Sequence, residues 1–340
     1  MTKEASPPMA VKHCTKAAGC SVEKGAVTLD ANWRVVHEGA ADGVDAQGYE
    51  KTYGIRTISG GVELQFVSEG GNVGSRVYLT DGEESYKVFK LKNREFAFDV
   101  DVASLACGLN GALYFVEMDV AGGKGTRKTG AGAKFGTGYC DAQCPHDIKW
   151  IGGEANVDGH HGMCCIELDI WEANRRASAF TAHPCSIEGA YRCEGVDCGD
   201  GDQRYIGVCD KDGCDINAFR MGQEHFYGMG KDFAVDTTKP MTVVTQFVTT
   251  DGTDQGDLAE IRRFYLQEGR FIANVDTNVQ SMSVGNSITD AFCSAQKRAF
   301  QDSDSHAAKG GLKTMGEALD RGLVLVLSLW DDSATEMRWL

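Results

Sequence analysis

Hydrophobic and polar positions along this chain alternate mainly with a period of two. Phe96, Phe98, Val100 and Val102 are separated by Ala97, Asp99 and Asp101, and Val62, Leu64 and Phe66 by Glu63 and Gln65. That spacing places apolar side chains on one face of a strand and polar ones on the other. Similar runs occur at Leu113–Met118, Val243–Val248 and Ile261–Leu266, with turn-forming stretches at Glu69–Gly74 and Asp251–Gly256 between them. Helical spacing is confined to the late part of the chain. Leu312, Met315 and Leu319 predict a helix that Gly322 ends, and Asp290–Phe300 predicts a second. There is no repeat, low-complexity linker or break in composition. The pattern therefore predicts an all-β fold of antiparallel strands with a few short helices, one two-sheet sandwich spanning residues 1–340.

Composition narrows what such a sandwich can bind. Lys and Arg total 34 against 49 Asp and Glu, a formal charge of −15, which repels a phosphate backbone and argues against nucleic acid as a partner. The longest apolar stretch, Leu323 to Trp330, is far short of the roughly 20 residues of a membrane span. The first ten residues carry Lys3 and Glu4 and no apolar block, so no signal peptide is read here. The 13 cysteines fall in close sets, such as Cys164 beside Cys165 and Cys209 near Cys214, without a C-x-x-C knuckle. Disulfides, and hence a secreted protein, fit better than zinc. An odd count leaves one cysteine free or paired outside this sequence. Trp33, Tyr114, Tyr139, Trp171 and Trp339 are aromatic residues suited to stacking on sugar rings or to filling a core.

The segment Cys164-Cys165-Ile166-Glu167-Leu168-Asp169-Ile170-Trp171-Glu172 carries the chemistry. On a pleated strand Glu167 and Asp169 share a face, while Ile166, Leu168 and Ile170 point into the sandwich. Glu172 has the opposite parity and joins the other two only if a bulge lies between Asp169 and Glu172. Three converging carboxyls suit retaining glycoside hydrolysis, with Glu167 as nucleophile, Glu172 as acid/base and Asp169 tuning the nucleophile. The two catalytic carboxyls of such enzymes lie about 5–5.5 Å apart. A solvated acidic strand, or a Ca²⁺ site on a lectin-like sandwich, competes with this reading. His183 is either a partner of the acid/base or a structural histidine. Asp210-Lys211-Asp212-Gly213 reads as a turn, being too short for an EF-hand loop. No G-x-S-x-G, P-loop or H-E-x-x-H is present.

The sequence resembles glycoside hydrolase family 7, the cellobiohydrolases and endoglucanases that act on cellulose. Matching stretches include Asp30-Ala31-Asn32-Trp33-Arg34, Phe98–Val102, Cys107–Phe115, Gly136–Asp141, Glu167–Asn174 and Leu329–Asp332, in family order along nearly the whole chain. The resemblance implies a jelly-roll, concanavalin-like sandwich with a long concave substrate cleft, and no cofactor or metal. It implies the same roles for Glu167, Asp169 and Glu172, and places His183 beside them. It implies glucan contacts at Trp33, Asn110, Tyr114, Tyr139, Asp141, Gln143, Lys149 and Trp339, and a grip on the departing cellobiose by Arg204, Asp212, Asp215 and Arg220. Six disulfides follow from it: Cys14–Cys20, Cys140–Cys165, Cys144–Cys164, Cys185–Cys209, Cys193–Cys198 and Cys214–Cys293. Cys107 is the remainder, its family partner lying in C-terminal strands that this sequence lacks.

Two departures from the family bear on the mode of attack. The segment from Asn156 to Met163 is short where tunnel-forming members carry a long loop, and the region from His37 to Tyr53-Gly54 is short as well. Val35 stands where processive members keep an entrance tryptophan. Trp171 and Arg204 match the cellobiohydrolase branch instead. The expectation is a monomeric, secreted cellulase of mixed cellobiohydrolase and endoglucanase character with a relatively open cleft, acting on cellulose or soluble β-1,4-glucan. The competing reading is a glucan-binding sandwich without turnover.

Overall fold

The computed structural model describes residues 3–37, 40–125, 131–282 and 285–340. Eleven strands make up the main paths of two sheets, to which the two-residue strands Val88–Phe89 and Ser287–Ile288 add at the sides: β1 Ala26–Leu29, β2 Ser75–Thr80, β3 Arg94–Val100, β4 Leu109–Val116, β5 Glu167–Ala173, β6 Ser178–His183, β7 Cys214–Asn217, β8 Met241–Thr249, β9 Leu258–Gln267, β10 Arg270–Ala273 and β11 Leu323–Asp331. The larger sheet runs β7-β6-β5-β4-β11-β2-β1, and the smaller runs β3-β8-β9-β10. The pairings within both are antiparallel. This is the antiparallel two-sheet sandwich that the alternation predicts, in the jelly-roll form that the resemblance implies.

Between the sheets lies an apolar core supplied by alternate residues: Val77 and Leu79 of β2, Leu113 and Phe115 of β4, Leu168 and Ile170 of β5, Val243 and Phe247 of β8, and Ile261 and Tyr265 of β9. Phe115 is fully buried and meets Phe89 and Phe96 edge-on at ring separations of 5.4 and 5.1 Å. A second apolar cluster covers the opposite face of the larger sheet, where Tyr78, Tyr114, Val116 and Val326 pack under Tyr139, Ile148 and Ile151.

Both predicted helices form. α1, Asp290–Phe300, is capped by Thr289, whose hydroxyl accepts from the Phe292 amide at 3.1 Å. A one-turn helix, α2, spans Ser305–Ala308, and α3 covers Gly311–Arg321 and ends at Gly322, whose φ of 106° suits a residue without Cβ. Among the described residues no helix is long and apolar enough to cross a membrane. The alternating run at Val62–Phe66 differs from expectation. Gly61–Leu64 pairs only with Ile55–Ile58 in a separate hairpin, because its turn closes locally before either sheet is reached.

All six implied disulfides are present, and Cys107 is free and exposed. Two of them tie Cys140 and Cys144 to Cys165 and Cys164, pinning the 140–144 segment beside the start of β5.

If the inter-sheet core carries the stability, Phe115→Ala costs about 3–5 kcal/mol. Phe271→Ala, on the exposed outer side of the small sheet, stays within about 0.5 kcal/mol. Urea midpoints of the two variants check this; equal shifts would contradict the placement of the core.

Candidate active site

The site is built on β5 and begins with an extra residue. Along β4, Tyr114 opposes Asp169 and Leu113 opposes Trp171, so Ile170 has no partner. Along β6, the register slips again between Asp169 and Glu172. The expected bulge is therefore present. Ile170 and Trp171 both turn into the core, 0% and 2% exposed. The parity shift brings Glu172 to the face already occupied by Glu167 and Asp169.

Each carboxyl is held by a different neighbour. Glu167 Oε2 accepts from the Ala142 amide at 3.0 Å, a contact made possible by the disulfides that pin this segment. Asp169 Oδ2 lies 3.0 Å from His183 Nε2 on the adjacent strand. Glu172 Oε1 accepts from Asn110 Nδ2 at 2.9 Å, and Asn110 Oδ1 accepts from the Ala173 backbone amide at 3.1 Å. His183 is oriented from behind, its Nδ1 lying 2.8 Å from the Asp210 carbonyl. That carbonyl only accepts, so Nδ1 carries a proton, and Nε2 shares a proton with Asp169. Gly213 closes the turn behind the ring. A Cβ there would come within 2.6 Å of His183 Cε1, and its φ is +67°.

Burial raises the carboxyl pKa values. Glu167 stands well above the usual range because it is desolvated and faces the Asp169 and Asp141 charges, against the opposing pull of His183 and the Ala142 amide. Asp169 is raised well above its usual value by burial and by Glu172 and Asp141. Glu172 is pushed up to about 7, mainly by desolvation and further by Asp215, while His183 and Asn110 oppose the shift. Glu167, Asp169 and His183 bring single ligand atoms within 4.8 Å of one another. An imidazole and two carboxylates are a poor match for the oxygen cage of Ca²⁺, and Glu172 stands outside the set.

The other expected residues flank this centre. Tyr114 and Tyr139 share a hydroxyl contact at 2.8 Å, and Tyr139 donates to Asp141 at 2.6 Å; all three are buried. Gln143 is held by the Lys211 carbonyl at 2.8 Å, and the Lys149 ammonium donates to the Asn32 carbonyl next to Trp33. On the other side Arg204 pairs with Asp212, and Arg220 with Asp215 at 2.6 Å. The segment 210–213 is the predicted turn, supplying both the Asp210 carbonyl and Asp212. Trp339 is 44% exposed and stacks on Trp330 with ring centroids 6.1 Å apart.

Trp171 requires correction. It packs edge-on against Phe98 and Tyr227 inside the sandwich and offers no surface to a sugar, because the bulge that exposes Glu172 turns Trp171 inward. Asn110 is likewise fully buried, its amide committed to Glu172 and Ala173. The sequence reading missed Arg76, whose guanidinium lies 3.4 Å over the Tyr139 ring and 5.7 Å from that of Trp33, and which pairs with Asp30 at 2.7 Å. Its signal was present in Ser75–Thr80, where Val77 and Leu79 are core and Arg76 and Tyr78 alternate with them. Cavity size does not mark the site. A space of about 550 Å³ lies among Trp150, Met163, Arg192 and Arg321, and none of the three carboxylates lines it.

The comparisons with known proteins agree with this arrangement. The family model for glycosyl hydrolase family 7 matches residues 1–43 and 40–340. A GH7-family cellobiohydrolase from Daphnia pulex superimposes with a TM-score of 0.96 at 46% identity, covering 100% of this chain and 87% of that one. The endocellulase EGI of Humicola insolens gives 0.88 at 38% identity, with 100% and 88% covered. A cellobiohydrolase from Melanocarpus albomyces, complexed with cellotetraose, gives 0.89 at 35%, with 100% and 86% covered. With matches along its whole length and a bulged acidic strand at its centre, this chain belongs to glycosyl hydrolase family 7.

Proposed function

We propose that the enzyme hydrolyses β-1,4-glucosidic bonds of cellulose or soluble β-1,4-glucan with retention of configuration. The observation that carries this reading is the bulge at Ile170, which puts Glu167, Asp169 and Glu172 on one face beside His183. Glu167 attacks the anomeric carbon while Glu172 gives its proton to the departing oxygen. Glu172 then takes a proton from the water that releases the sugar from Glu167. Asp169 shares a proton with His183 and so presents less negative charge to Glu167, which offsets part of the upward pull on the nucleophile's pKa. Asn110 fixes the direction of the acid, and the Ala142 amide that of the nucleophile.

Trp33, with the Arg76 guanidinium beside it, supports glucan binding on one side of the centre, while Tyr139 is buried beneath Arg76; the Arg204–Asp212 and Arg220–Asp215 pairs support it on the other. Arginines and carboxylates donate to and accept from ring hydroxyls without needing an ion. A mixed cellobiohydrolase and endoglucanase character rests on the short covering segments. Asn156 draws its segment inward through the carbonyls of His146, Ile148 and His161 at 2.9–3.1 Å, and Val35 is 68% exposed with no ring to offer. Residues 38 and 39 of the other shortened region lie outside the described residues. The six disulfides and the charge of −15 fit a monomeric, single-domain enzyme working outside the cell on a neutral polysaccharide, without nucleic acid or membrane partners.

Proton NMR of early hydrolysis products is expected to show the β-anomer first, and Glu167→Gln to bind cellulose while losing turnover. Initial α-anomer would refute the double displacement, and binding without any sugar release from the unmutated enzyme would favour the glucan-binding sandwich. Because Glu172 holds its proton up to about 7, kcat is expected to fall as pH rises through that value. Glu172→Gln should lower kcat on cellulose by about 10²–10⁴-fold and abolish that alkaline limb. An unchanged alkaline limb in this variant would assign the acid elsewhere.

A further inference from the structure

Arg263 sits where an arginine is costly. It lies on the core-facing side of β9, 4% exposed, between Ile261 and Tyr265. Among the described residues no carboxylate comes within ion-pairing distance of it, and its Nη1 is buried without a hydrogen-bond partner. Burial pulls its pKa down against the opposing pull of Tyr265. A well-packed apolar side chain of similar volume serves a core as well as a buried charge or better, so stability does not account for this residue.

Its contacts converge on the bulge. Arg263 Nη2 reaches across the core and donates to the carbonyl of Ile170, the residue without a register partner on either neighbouring strand. Its guanidinium carbon lies 4.4 Å from the centre of the Phe180 ring, on the stretch of β6 that faces the bulge. Nε donates to Thr245 Oγ1 of β8 at 3.2 Å, which fixes the fork from the side of the small sheet. One side chain thus touches the bulged strand β5 and its neighbour β6, and donates to the carbonyl of the residue that the irregularity leaves without a register partner.

We propose that Arg263 is a positioning residue for Glu172: by holding the Ile170 carbonyl from the opposite sheet it keeps β5 bulged, and the bulge is what turns Glu172 onto the catalytic face. The inference rests on the assignment of Glu172 as acid/base. Without the anchor, β5 relaxes toward regular pairing and Glu172 loses its aim, whereas Glu167, which precedes the bulge and is held by Ala142, keeps its place.

The test separates loss of the acid from general damage. The purified enzyme and its Arg263→Met, Arg263→Lys and Glu172→Gln variants are compared by kcat/KM on two aryl β-cellobiosides, a 2,4-dinitrophenyl glycoside whose leaving group departs without a proton and a phenyl glycoside whose leaving group needs one. Arg263→Met is expected to lose about 10²-fold on the phenyl glycoside and under about threefold on the dinitrophenyl one, with Arg263→Lys recovering part of the loss through its single donor. Similar losses on both substrates, or none on either, would overturn the proposal. If Arg263→Met does not fold, Arg263→Lys alone must still show the leaving-group bias for the proposal to stand. Glu172→Gln is the control. If it shows no such bias, the acid/base assignment falls and the role of Arg263 falls with it; if it shows the bias and the Arg263 variants do not, only the role of Arg263 is refuted.

Discussion

One inserted residue governs this active site. Side chains on a strand alternate without exception, so the spacing from Glu167 to Glu172 places the two carboxyls on opposite surfaces unless the count is broken. Ile170 breaks it. That single slip sends two consecutive residues, Ile170 and Trp171, into the sandwich and delivers Glu172 to the open face. The cost is a carbonyl with no place in the ladder and three carboxyls crowded into a poorly solvated patch. Most of the surrounding structure compensates for one or the other.

The crowding is managed by giving each acid its own partner: a backbone amide for Glu167, an imidazole for Asp169 and a carboxamide for Glu172. Those partners are themselves tied to rigid elements. The Ala142 amide is fixed by two disulfides, His183 by the Asp210 carbonyl and Gly213, and Asn110 by the backbone of the strand it serves. The result is a set of groups with separated proton affinities on a scaffold that cannot easily relax. The flanking pairs that would meet a glucan, such as Arg204–Asp212, lie at the ends of turns instead, where side chains are freer to re-aim.

Much of this was legible in the sequence because it depends on parity. The sandwich, both helices and the need for a bulge follow from counting positions along the chain, and the cysteine pairings follow from the family resemblance. What stayed hidden depends on which way the bulge turns and on contacts between distant segments. Trp171 reads as a sugar platform until the bulge is placed, after which the same slip makes it core. Arg76 comes beside the site only when Tyr139 and Trp33, from two segments far apart in sequence, are folded around it. Arg263 is one charge in a run that includes Arg262, and only the opposing sheet distinguishes the two: one is exposed, the other buried against Ile170. The Gly61–Leu64 ribbon misled for a related reason, since alternation reveals a strand and not its partner.

The most direct test of the account is to trap the covalent intermediate. An activated 2-deoxy-2-fluoro-cellobioside forms the glycosyl-enzyme faster than water can release it, and peptide mass spectrometry then locates the added sugar. The account requires the label on Glu167. A label on Asp169 or Glu172, or complete absence of an adduct in an enzyme that turns over cellulose, would contradict it.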